Sequence, residues 1–139
     1  MGAWDTGVFD NDDALDWVEE YRGEEAGTPA LDLIVATIDE VVGDDAEEYV
    51  EMDAASRALA AIAVLARAHA GDRAPALPVG IDPIDPPAGE VGPDLRRRAA
   101  EAVERILGEE SEWTELWSES DAYPNARAAV SELLAALAP

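Results

Sequence analysis

The sequence predicts an all-α protein: about five helices packed around a central apolar helix over residues 54–70, with a Pro-rich extended connector over residues 72–92. Three observations carry this. Ala58 to Ala70 reads ALAAIAVLARAHA and is interrupted only by Arg67 and His69. A helix that is apolar on all sides must be covered on all sides. Its run Ala58–Ala66 is too short for a bilayer span, which needs about 20 apolar residues. Next, Leu31, Ile34, Val35, Ile38, Val41 and Val42 recur at the spacing of one helix face. Last, 139 residues with an apolar fraction of 48% suffice for one domain (1–139) with a real core, and the lack of cysteine removes any disulfide framework.

In chain order, Gly2 and Gly7 break up an opening arm that carries Trp4, Val8 and Phe9. Asp10 or Asn11 then suits a helix N-cap. If Asp10 caps, Asp13 falls at the third helical position and Phe9 can staple to Ala14. Ala14, Trp17, Val18 and Tyr21 share one face of this first helix, and Asp16, Glu19 and Glu20 lie away from it. Thr28 with Pro29 starts a second helix and Gly43 is placed to end it. Asp44–Asp53 reads as a loop or an early turn of the central helix, which Gly71 stops. The connector holds Pro75, Pro78, Pro83, Pro86 and Pro87, with Leu77, Val79, Ile81 and Ile84 alternating between them, and is expected to lie as a strap across the bundle. Pro93 opens a further helix that Gly108 stops. Glu112–Ser118 is a short helical piece, and a last helix starts near Pro124.

The opening Gly-Ala-Trp-Asp-Thr-Gly-Val-Phe-Asp-Asn-Asp-Asp-Ala-Leu-Asp-Trp resembles the start of a bacterial family known as domain of unknown function 4259. Members typically begin Met-Gly-x-Trp-Gly-x-Gly-x-Phe, followed by Asp-Asn-Asp. Asp5 stands here where members usually carry Gly. Leu116-Trp117, Ser120-Asp121 and Arg127-Ala128-Ala129-Val130 resemble the family's C-terminal helices. The resemblance implies a fold and brings no activity or catalytic residues.

Charge separates the function classes. Nine arginines and no lysine face 32 acids, for a net charge of −23. Residues 1–53 hold 18 acids against Arg22 alone, net −17, and the rest of the chain is net −6. Such a field repels nucleic acid and anionic membrane and attracts basic partners. Met1–Asp5 has neither a basic n-region nor an apolar h-region, which points to the cytoplasm.

Chemistry-bearing patterns are sparse. The Asp10, Asp12, Asp13 and Asp16 cluster offers hard oxygen ligands, but an EF-hand fails on it: Ala14 falls at position 5 and Tyr21 at position 12. His69 is the only histidine, and Ser56 lies roughly 20 Å away along the same helix. No P-loop, dinucleotide glycine motif or zinc spacing occurs. Arg96–Arg98 is expected to balance the acidic first half internally. The expectation is therefore an acidic, non-enzymatic interaction protein that binds a basic protein without any cofactor. An immunity-type inhibitor is one concrete form. Its interaction residues would be Trp4, Phe9, Asp10, Asp12, Asp13 and Asp16, an apolar anchor in an acidic rim. The alternative is a small metal-dependent enzyme or ligand-binding domain that uses the Asp10–Asp16 cluster. A homodimer through the apolar helix faces is compatible with either.

Overall fold

From Ala58 to Ala66 every side chain of one helix is buried. Most of these side chains are alanine, so neighbouring helices can approach the axis closely and still leave no void. In the computed structural model, which describes residues 8, 11–23, 28–43, 48–75 and 91–138, this helix runs Met52–Ala70. We number the helices α1 (Asp12–Gly23), α2 (Thr28–Val42), α3 (Met52–Ala70), α4 (Pro93–Leu107), α5 (Glu112–Ser118) and α6 (Tyr123–Ala136). A single 3-10 turn, Gly71–Arg73, follows α3. Among the described residues the protein is all-helical, and α3 packs against each of the other five α-helices. Among the described residues there are six α-helices, in keeping with about five, and the expected short piece Glu112–Ser118 is one of them, with Ser111 as its N-cap. No helix among the described residues is long and apolar enough to cross a membrane.

Each helix is set by a short local signal. Asn11 caps α1: its Oδ1 accepts the Ala14 amide hydrogen at 2.8 Å. That shifts the cap by one residue from the capping-box register, so Ala14 and not Asp13 takes the third helical position. Asp12 and Asp13 remain in the first turn, where the helix dipole favours them. Ala14, Trp17, Val18 and Tyr21 are buried, as the period of α1 requires. Trp17 Nε1 donates to Thr37 Oγ1 at 2.8 Å, and Thr37 Oγ1 donates in turn to the Leu33 carbonyl at 2.7 Å. The indole also stacks on Tyr21 with centroids 5.2 Å apart. One relay thus satisfies both buried donors and ties α1 to α2.

Gly43 ends α2 with its amide on the Asp39 carbonyl at 2.8 Å. A Cβ at this position would lie 2.6 Å from that same oxygen, so a side chain forces the backbone to shift. Gly71 ends α3 at φ +57°, where a side chain is strained. Arg67 Nη1 holds the turn that follows, donating to the carbonyls of Gly71 at 3.1 Å and Ala74 at 3.2 Å.

The Asp44–Asp53 stretch is more ordered at its end than a plain loop. Val50 and Ser111 form an isolated parallel bridge: the Val50 amide donates to the Glu110 carbonyl and the Glu112 amide to the Val50 carbonyl, both at 2.9 Å. Glu112 Oε1 then accepts the Met52 amide hydrogen at 2.6 Å, so a side chain from α5 satisfies the open N-terminus of α3. The connector expected over 72–92 falls mostly on residues 76–90, outside the described residues.

Tyr49 closes the same corner. Its hydroxyl donates to Glu115 Oε2 at 2.6 Å. That hydrogen bond, with further contributions from partial desolvation and the charges of Glu115, Glu112 and Glu110, pushes the phenol pKa up to about 12. The folded state therefore holds the proton more tightly than an unfolded tyrosine, whose pKa is near 10. Its stabilising contribution is complete below pH about 10 and is lost as pH rises through about 12. An ultraviolet titration should find one tyrosine ionising late, and Glu115→Gln should bring it back toward its ordinary value. An unchanged titration in Glu115→Gln would contradict the assigned cause.

Candidate functional site

The described part of the expected site lies on α1. Asp12 and Asp16 are exposed and stand one turn apart, and Glu19 and Glu20 continue the same outer surface. Leu15, 37% exposed, sits among them as an exposed large apolar side chain. The inner face is fixed by Trp17 and Val18, so the orientation of the outer face follows from the core.

Asp13 belongs elsewhere. It is half-buried and, with Asp53 and Glu40, acts electrostatically on Arg57 of α3. Arg57 Nη2 meets Glu40 Oε2 at 2.5 Å and Nη1 lies 3.6 Å from Asp53 Oδ2. Partial burial works against the guanidinium charge, yet the hydrogen bond to Glu40 and the surrounding carboxylates outweigh it and raise the pKa above its ordinary value. This junction of α1, α2 and α3 is structural.

The structure thus brings Asp12 and Asp16 together and separates Asp13 from them. Trp4, Phe9 and Asp10 lie outside the described residues. Leu15, Glu19 and Glu20 were not in the expected set. Their signal was present in the helical spacing from Asp12, which places residues 15, 16 and 19 along one stripe. Among the described residues, no three acidic or histidine side chains converge to hold a metal ion.

Several other cations are held by partners within the fold. Arg98 pairs with Asp39 of α2, in keeping with the expected internal balance. Arg97 instead pairs within its own helix with Asp94 at 2.9 Å, and Arg96 donates to the Leu137 carbonyl at 3.3 Å. Arg105 donates to the carbonyls of Val41 and, at 2.6 Å, of Glu48. His69 Nε2 lies 3.1 Å from the Ala138 carbonyl, joining the end of α3 to the end of α6.

Fold and surface together define a small all-helical protein with an acidic face on its first helix. The chain belongs to the family described as domain of unknown function DUF4259, whose family model matches residues 2–129. That match runs from the opening arm into α6. No curated protein and no solved structure matches the chain.

Proposed function

We propose that the protein is a non-enzymatic, cytoplasmic interaction protein whose acidic α1 face engages a basic partner protein. The supporting observation is a cluster of exposed carboxylates on one helix face without cation partners among the described residues. Asp39, Glu40, Asp53 and Asp94 each meet an arginine. Asp12, Asp16, Glu19 and Glu20 are exposed, and no cation pairs with them among the described residues. Asp12–Asp16 and Asp16–Glu20 are like-charge pairs four residues apart, each of which weakens a helix by roughly 0.2–0.5 kcal/mol. A face kept at that cost suits long-range steering of a cationic partner, with Leu15 supplying apolar contact after docking. An inhibitor of a basic toxin or nuclease would use the face in this way.

The test is affinity capture from the host lysate with the wild-type protein and with the combined Asp12→Asn, Asp16→Asn, Glu19→Gln, Glu20→Gln variant. The wild type should retain a basic protein at low salt and release it at high salt, and the variant should not retain it at either. Failure to retain any protein, or equal retention by the variant, would overturn the reading.

A further inference from the structure

Arginine is scarce in this chain, nine residues against 32 acids. Every other arginine whose side chain is described bonds a carboxylate, a carbonyl or a phenol. Arg73 is exposed and has no hydrogen-bond or ion-pair partner among the described residues. It stands on the rim of a groove of about 400 Å³ between the end of α3 and α6. Glu132 of α6, also exposed and without a partner among the described residues, stands on the rim as well. The rest of the lining is Ala70, Ala74, Pro75, Ala135 and Ala136.

Both walls are fixed independently of any ligand. Arg67 ties the Gly71–Ala74 turn, and Arg96 and His69 tie the end of α6 to α4 and α3. The volume falls within the about 300–1,000 Å³ of small-molecule sites.

We infer that this groove binds a free α-amino acid with an aliphatic side chain, its carboxylate on Arg73 and its ammonium facing Glu132. A guanidinium recognises a carboxylate through two parallel hydrogen bonds. Glu132 and the net charge of −23 disfavour a phosphate or a dicarboxylate, whereas a net-neutral zwitterion meets no such repulsion. The alanine and proline lining suits an aliphatic tail. Arg73 and Glu132 are both exposed and line the same groove. This inference does not depend on the α1 face.

The test is a titration of the full chain with L-leucine, read in two-dimensional amide NMR spectra. Saturable shifts are expected at Ala70, Ala74, Ala135 and Ala136. Arg73→Ala should weaken binding at least tenfold, Glu132→Gln should weaken it several-fold, and isocaproate, which lacks the amine, should bind more weakly than leucine. Both substituted side chains are exposed, and unchanged amide shifts away from the groove check that the fold is kept. No saturable shift at the groove, or equal affinity in Arg73→Ala, would overturn the inference.

Discussion

Trp17→Ala is expected to lower the unfolding free energy by roughly 3–5 kcal/mol, the range for removing a large aromatic from a core. Trp17 is 1% exposed, stacks on Tyr21 and supplies the donor that Thr37 accepts, so three losses coincide. The packed interior loses its largest fully buried side chain, the Tyr21 ring loses its stacking partner, and the Thr37 hydroxyl loses its donor. The smaller change Thr37→Val isolates the polar part. It leaves the indole N–H buried without an acceptor, at about 1–3 kcal/mol. Urea unfolding of both variants at one fixed ionic strength measures the two effects. A Trp17→Ala loss under about 1 kcal/mol would contradict the packing of α1 into the core.

Ala61→Leu is expected to destabilise by about 1–3 kcal/mol, although leucine is a good helix former and more apolar. Ala61 is 0% exposed within α3, which five other helices pack against. The added carbons have no space without moving a helix or leaving a favoured rotamer. Ala128→Leu on the exposed side of α6 serves as the control and should change stability by no more than about 0.5 kcal/mol. If Ala61→Leu were neutral or stabilising, α3 would have an uncovered side.

The helices were legible in the sequence because their signals are local. Ile34, Ile38 and Val41 mark the buried face of α2 by spacing alone, and all are buried. The unbroken apolar run of α3 announces a helix covered on every side, and the coverage by five neighbours fits it. Gly43, Gly71, Gly108 and Pro93 mark boundaries where the structure has them. The sequence left the cap of α1 open between Asp10 and Asn11, and that Asn11 reaches the Ala14 amide is decided in three dimensions.

What stayed hidden is non-local. The Val50–Ser111 bridge joins residues from distant parts of the chain without an alternating pattern in either segment. Arg105 was legible as a charge beside glutamates, but its carbonyl partners at Val41 and Glu48 depend on how α4 meets the end of α2. The same holds for Thr37, an ordinary polar residue in an apolar stripe until Trp17 is brought to it. At the candidate site, the acidity of α1 was visible from composition. The separation of Asp13 from Asp12 and Asp16 was not, because it follows from the side of the helix that meets Arg57. The groove beside Arg73 left no trace in the sequence, since its lining is mostly alanine drawn from two distant segments.

Native-state hydrogen exchange tests the central architectural claim most directly. If α3 is covered along its whole middle, the amides of Ala58 to Ala66 exchange only when the protein unfolds globally. Their opening free energies should then equal the global unfolding free energy from urea and should show no helical alternation. The outward amides of α1 at Asp16, Glu19 and Glu20 should open at lower free energy. A three- to four-residue periodicity of fast exchange through Ala58–Ala66 would contradict the account, because it would mean that one side of α3 faces solvent.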